Sequence, residues 1–460
     1  MKGVTMNKKI TALICAAAML LVSGCSEQNG SNDSPVQTES SADSVDSVSK
    51  AETSDKPDNE TIIDSLNNGI IIDEVSGNVY KNERNANPTA VEYNGRLYVY
   101  GTNDQQQSEE GTKNDYAHIK SLVVFSTDDM VNWIYHGRIE VDKIAPWITN
   151  SWAPSIASRV EEDGLTHFYL YFSNGGGGVG VITSTDPVGP WSDPLGEPLV
   201  YQNMPGLENC PAPFDPGVCI DENGTGWLSF GGGTPADGNT MHSKIPKIAK
   251  LGKDMLSFDS EFVSIDAPYF FEASELNYID GVYYYTYCTD WQDHKTGWKE
   301  YGSEMCIRDS YFYNAGENAD GASGLRWANN HTHFIEYKGV NYIIHHTLLL
   351  EELMGGKAGF RSMMADYLPM DKATGDIPIT AASKKGVAQI KLVDPYTYNS
   401  GALMFTSADI GYDKVTDPAA KSTADGAWIY VRGADFGYGA SEFIAEVKGC
   451  LLYTSPSPRD

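Results

Sequence analysis

Two carboxylates stand out because of where they sit. Asp215 lies in Pro213-Phe214-Asp215-Pro216-Gly217, and Glu272 lies in Tyr269-Phe270-Phe271-Glu272-Ala273-Ser274. Each is flanked by apolar residues at the expected start of a strand. Apolar surroundings disfavour the charged form of a carboxyl group, which suits a general acid. Paired carboxylates facing one another across a cleft are the equipment of glycosidic-bond hydrolysis. Taken singly, each has an ordinary structural explanation: Asp before Pro initiates turns, and Glu at a strand start faces solvent. Their occurrence at matching points of successive repeats favours chemistry. His331 and His333, in Asn330-His331-Thr332-His333, share one strand face and could hold a metal, or could be hydrogen-bonded core histidines. Trp152, in Asn150-Ser151-Trp152-Ala153-Pro154, could stack on a sugar ring or pack between sheets.

The elements that must position these groups are read from a repeat. A turn glycine ahead of an aromatic, β-branched run recurs at Gly95, Gly164, Gly224, Gly281 and Gly339, in steps of 69, 60, 57 and 58 residues. Glycine supplies the positive φ of a tight hairpin. A near-constant period means one supersecondary unit used five times. Four-stranded units stacked radially leave short edges and a central channel, so the expected fold is all-β, a five-bladed β-propeller over 67–350. Asp215, Glu272 and His331 then fall at the heads of innermost strands, aimed at the axis. Trp133 and Trp191, in recurring strand–turn–Trp elements, are expected between blades. A joining region, 351–390, leads to alternating strands over 391–449 without a propeller turn, expected as a separate, incomplete C-terminal β-sandwich.

Composition narrows the partners. Lys and Arg number 33 against 62 Asp and Glu, a formal charge of −29, which excludes an electrostatic nucleic-acid or anionic-membrane binder. An uncharged sugar polymer fits, and 27 Tyr and 9 Trp can supply stacking surfaces, although sheets favour aromatics anyway. Residues 1–25 read as an export signal: Lys8 and Lys9, an apolar run Ile10 to Val22, then Ser23-Gly24-Cys25. Residues 26–66 carry ten acidic residues against two lysines and too little apolar surface to fold, so a disordered tether is expected. Cys210, Cys219 and Cys288 lack metal-ligand spacing and read as buried thiols. Glu304–Ser310 and residues 450–460 resemble translated adapter sequence and are set aside, which leaves the fourth blade expected as incomplete near 303–312 and the natural chain expected to run on past 449.

Ser151-Trp152-Ala153-Pro154-Ser155, Phe214-Asp215-Pro216, Phe271-Glu272-Ala273 and Asn329-Asn330-His331 together resemble glycoside hydrolase family 43 over roughly residues 80 to 350. The resemblance implies an inverting glycosidase acting on arabinose or xylose linkages of plant hemicellulose, foremost an arabinoxylan α-L-arabinofuranosidase, with β-xylosidase or endo-xylanase as alternatives. It implies Glu272 as general acid and Asp215 as the group that tunes it, with Trp152, Phe271 and His331 as substrate contacts. His331 would be axial, where relatives support a water or calcium ion; no other cofactor is required. The family's general-base aspartate corresponds to Asn87, in Asn87-Pro88, and a neutral amide takes no proton from water. Glu83 or Asp104 would then supply the base, or the enzyme is slow, or the propeller is an inactive glycan-binding module. The signal resembles a bacterial lipoprotein site with Cys25 lipidated, implying an exported monomer anchored at the cell surface or outer membrane through lipid alone. Trp428 to Gly437 resembles a family 6 carbohydrate-binding module, whose early acidic calcium ligand is replaced by Asn399-Ser400.

Overall fold

The computed structural model describes residues 84–447 except 112, 290–304, 308–309, 314–329, 354, 379, 382–385 and 413–417. The export signal with Cys25, the tether, Glu83, Asn329 and the 450–460 tail lie outside the described residues.

The chain is an all-β propeller. The first sheet runs β1 (Ala86–Tyr93), β2 (Arg96–Thr102), β3 (Leu122–Thr127) and β4 (Trp133–Ile139). The second runs β5 (Trp152–Val160), β6 (Thr166–Ser173), β7 (Gly178–Ser184) and β8 (Val200–Tyr201). The third comprises β9 (Gly217–Ile220), β10 (Gly226–Phe230), β11 (Lys247–Lys250) and β12 (Val263–Ser264). The fourth comprises β13 (Phe270–Ile279), β14 (Val282–Thr289), β15 (Met305–Ile307) and β16 (Ser310–Tyr313), extended by Thr380–Ala381 parallel to β16. The fifth repeat gives three strands rather than four: β17 (Thr332–Tyr337), β18 (Val340–Thr347) and β19 (Ser362–Tyr367). Each turn glycine of the repeat has positive φ, between 75° and 82°, as the hairpins demand.

The innermost strands β1, β5, β9 and β13 each touch the next, and β17 touches both β13 and β1. Side chains stitch them together. Thr89 Oγ1 accepts from the Ile156 N–H, Ser155 Oγ from the Val218 N–H, and Asn277 Oδ1 from the Phe334 N–H. At β9 the approach is so close that a Cβ on Gly217 would lie 2.5 Å from the Glu275 Cα, so only glycine fits. The apolar core is divided among the inter-sheet faces instead of filling the centre. One cluster joins the first and fifth sheets around Leu97, Trp133, Tyr337 and Tyr342, and another joins the first and second around Tyr100, Phe168 and Phe172. A third joins the second to the fourth around Tyr171, Phe230 and Phe270, and the last joins the fourth and fifth. Trp133 and Trp191 pack in these faces as expected, Trp191 edge-on to Tyr100 at 6.2 Å. Cys210, Cys219 and Cys288 are buried free thiols, also as expected.

Three expectations are corrected. The fourth blade is not cut short: Met305–Ile307 pairs with β14 and Ser310–Tyr313 with β15, so the backbone of the segment set aside completes an antiparallel sheet. The propeller does not end at residue 350, because β19 and the helix Leu349–Leu353 fall in the supposed joining region and β18 requires β19 as its outer partner. The C-terminal stretch forms no sandwich among the described residues. It makes two short pairs, Thr406–Ala408 with Trp428–Tyr430 and Ile410–Tyr412 with Ala420–Ser422, while Leu403–Met404 adds to β4. A partial sandwich cannot close its own core, so Met404, Ile410, Ala420 and Ile429 pack on the apolar cluster of the first and fifth sheets.

Candidate active site

A bulge at the head of the inner strands builds the site. Pairing slips between Ala86 and Thr89, between Trp152 and Ser155, and between Phe270 and Glu275. At or beside those points Asn87, Ala153, Asp215 and Ala273 adopt left-handed φ of 48°, 35°, 51° and 61°. Bulges re-aim side chains next to active sites, and left-handed non-glycine residues cost on the order of 1–3 kcal/mol each. The first three precede prolines, whose rings already exclude a helical continuation. Asn87 and Asp215 therefore occupy equivalent positions, whereas Glu272 is equivalent to Trp152, one residue ahead. The sequence repeat placed Glu272 and Asp215 together without resolving that offset.

Asp215 is buried and held on both sides. Its Oδ2 accepts from the Ala273 N–H at 2.8 Å, next in sequence to Glu272, and its own N–H donates to Ser173 Oγ at 2.8 Å. Burial pushes its carboxyl up to about 7, against the opposing pull of the Ala273 N–H, the Ser173 hydroxyl and the Arg361 guanidinium. Glu272 is half-buried on β13, close enough to Arg361 and Tyr116 for its charge to act on both. Phe271 is half-buried beside it, its carbonyl accepting from Gly233.

Asn87 is buried, with its N–H on His346 Nδ1 at 3.0 Å and its Nδ2 on Thr102 Oγ1 at 3.1 Å. Its Oδ1 accepts from Arg361 Nη1 at 3.1 Å. Arg361 is the central cation of the site, fully buried, and sequence reasoning missed it. It forks onto Asp104 through Nε at 3.0 Å and Nη2 at 2.9 Å, and its backbone N–H adds a third bond at 2.9 Å. Asn114 Nδ2 also donates to Asp104 at 2.7 Å. The Asp104 and Glu272 carboxylates raise the Arg361 guanidinium above its ordinary value despite burial. Asp104, with both oxygens committed to a buried guanidinium, is no free base, which removes one of the two carboxylates considered for that role. A single arginine inside the apolar run Gly359-Phe360-Arg361-Ser362-Met363-Met364 was the available signal, since a charge in a buried strand needs a partner.

Trp152 is half-exposed, its indole N–H donating to the Tyr116 carbonyl at 3.1 Å and its ring edge-on to Tyr116 at 6.1 Å. His331 and His333 meet Glu275, a buried carboxylate three residues past Glu272 that also feels the Asp215 charge. His333 Nδ1 lies 2.7 Å from Glu275 Oε1, which also accepts from Ser155 Oγ at 3.1 Å, and His331 Nε2 lies 3.8 Å from Glu275 Oε2. Burial raises the Glu275 carboxyl to about 7 and lowers His333 to about 4. Calcium takes six to eight oxygen ligands. The side chains here supply one carboxylate and two imidazoles, so a calcium ion would draw most of its oxygens from water, and among the described residues no group of three His, Cys, Asp or Glu is arranged to hold a metal.

A propeller that brings two apolar-flanked acids, an aromatic pair and a buried arginine together near the heads of its inner strands has the groups of a glycosidase-type site. The chain belongs to the glycosyl hydrolases family 43, whose model matches residues 76–354. It is 36% identical over 399 residues to an arabinoxylan arabinofuranohydrolase of Bacillus subtilis (strain 168), covering 80% of this chain and 77% of that protein. It is 32% identical over 407 residues to an arabinoxylan arabinofuranohydrolase of Paenibacillus polymyxa, covering 79% of this chain and 61% of that protein. The fold is similar to the crystal structure of a family 43 arabinoxylan arabinofuranohydrolase from Bacillus subtilis in complex with cellotetraose. That match has a TM-score of 0.71 and 33% identity, covering 81% of this chain and 82% of that one.

Proposed function

We propose that this chain removes α-L-arabinofuranosyl groups from arabinoxylan with inversion, and that it does so slowly. The observation carrying the reading is the cluster of Glu272 and Asp215, at the heads of inner strands, with Arg361, which precedes β19, in a chain whose relatives of 32–36% identity are arabinoxylan arabinofuranohydrolases. Glu272 donates its proton to the glycosidic oxygen as the C1–O bond breaks, and water attacks C1 from the opposite face. Asp215, one hydrogen bond from the Ala273 N–H, holds the backbone that aims Glu272 and opposes loss of its proton when ionised. Asn87 stands on the water side. Its amide cannot accept the water proton, which leaves through solvent as the oxocarbenium-like transition state collapses.

The same observation supports a second reading, a glycan-binding propeller without turnover, because Asp104 is locked by Arg361. Product chromatography on arabinoxylan with the wild-type chain and Glu272→Gln separates the two. Arabinose released by the wild type alone supports the hydrolase; no product from protein that binds the polymer supports the binder.

The propeller is read as five-bladed, with the three-stranded sheet as the fifth blade, because β17 touches both β13 and β1. Export with lipid at Cys25 is supported by the pattern Lys8 to Cys25, and a sugar-binding role for 391–449 by the motif Trp428 to Gly437.

A further inference from the structure

Tyr116 lies on the connection between β2 and β3, and its backbone is left-handed at φ 63°, a genuine outlier for a bulky residue. Such conformations persist only where the surroundings over-determine them. Here they do. The Tyr116 carbonyl accepts from Trp152 Nε1 at 3.1 Å and from Asn150 Nδ2 at 3.3 Å, tying the loop to the head of the second sheet. Two residues earlier, Asn114 donates to Asp104 and to the Gly359 carbonyl at 2.9 Å, tying the same loop to the segment that carries Arg361.

These ties put the Tyr116 ring over the Arg361 guanidinium, 4.9 Å from its centroid, with Trp152 edge-on. Glu272, on the fourth sheet, lies close enough to act electrostatically on the Tyr116 phenol, which comes from a connection of the first. Burial with the nearby Asp104 and Glu272 charges keeps the phenol protonated, and the side chain stays partly open. The ring therefore covers the buried Arg361–Asp104 pair and leaves part of an aromatic surface exposed in the neighbourhood of Glu272.

We propose that Tyr116 is a specificity-determining wall of the cleft, which packs with Trp152 against the sugar unit that is removed. The inference rests on the debranching function above and adds the residue that recognises the branch. Losing about half of an aromatic contact corresponds to roughly tenfold in affinity. The test is calorimetric binding of an arabinofuranosyl-substituted xylotriose and of plain xylotriose to the full chain and to its Tyr116→Ala, Tyr116→Leu and Tyr116→Phe variants, each first checked by thermal melting. Tyr116→Ala and Tyr116→Leu should weaken the substituted ligand about tenfold and leave plain xylotriose within about twofold, while Tyr116→Phe retains wild-type affinity. A folded Ala or Leu variant that binds the substituted ligand as the wild type does would overturn the proposal. So would equal losses on both ligands, which mean a structural role. Wild-type protein that binds neither ligand would sink the debranching reading itself.

Discussion

Asn87→Asp, which would supply the base that the proposed mechanism lacks, is the sharpest perturbation that the site offers. Asn87→Asp is isosteric. In the present site Thr102 Oγ1 accepts from both Asn87 Nδ2 and the Ala153 N–H at 2.8 Å, so its hydroxyl proton is free to turn toward a carboxylate at position 87. The other carboxylate oxygen would keep Arg361 Nη1, now at 3.1 Å from Asn87 Oδ1, as a charge-assisted donor. That contact favours ionisation, while burial and the Asp104 charge already paired with Arg361 oppose it, so the new group should act as a base from weakly acidic to neutral pH. A positioned general base is worth about 10²–10⁴-fold, or about 3–5 kcal/mol off the barrier. Arabinose release from arabinoxylan by Asn87→Asp, followed by chromatography from about pH 4 to 8, should exceed the wild type by that factor and show a bell-shaped profile. Asn87→Asp combined with Glu272→Gln should stay silent. A folded Asn87→Asp that binds arabinoxylan and gains less than about twofold would refute the assignment of position 87 to the attacking water.

Glu272→Gln should lower arabinose release by about 10²–10⁴-fold with arabinoxylan affinity retained, and unchanged release would remove Glu272 from the reaction. Arg361→Met leaves the fully buried Asp104 carboxylate unpaired and should cost about 3–5 kcal/mol in urea unfolding, where a loss under about 1 kcal/mol would contradict the geometry. Asp215 has a folded value of about 7 against an ordinary 3.8, so between those values the folded state holds a proton that the unfolded state has lost. Stability from this group is therefore full below about 3.8 and declines as pH rises to about 7. Glu275 adds to that decline while His333, lowered to about 4, opposes it up to its ordinary 6.5. The melting temperature should fall from pH 5 to 7.5 by less in Asp215→Asn than in the wild type, and identical slopes would count against a protonated Asp215.

The repeat was legible because the hairpin signal is local. Each Gly at positive φ is followed by strand-forming residues, and neither depends on a distant contact. Asp215 and Glu272 stood out through apolar flanks at expected strand heads, and Asn87 only through the family resemblance. Arg361, Tyr116 and Glu275 were not, because their importance is made by partners far away in sequence: Arg361 reaches Asp104 and Asn87 across more than two hundred positions, and Glu275 meets Ser155 and His333 from other sheets. The sandwich expectation failed for a related reason. Alternating strands identify an amphipathic surface, but not which surface covers it, and here the first sheet does.

The contacts of Asn87 show how this scaffold accommodates an amide at the position that the proposed mechanism gives to the base. Asn87 is held by backbone strain and three hydrogen bonds, none of which needs a negative charge: the N–H to His346, the amide to Thr102 and the oxygen from Arg361. An aspartate and an asparagine satisfy Arg361 with the same oxygen, because Asp104 already neutralises the guanidinium. Either residue can thus meet these hydrogen bonds, whereas an aspartate adds a buried negative charge and a group able to take a proton. In the proposed mechanism Glu272 has no such substitute, since a glutamine there could not hand a proton to the leaving oxygen. On the proposed reading, binding and catalysis are separable at position 87, because exchanging the amide for a carboxylate leaves Trp152 and Tyr116 untouched.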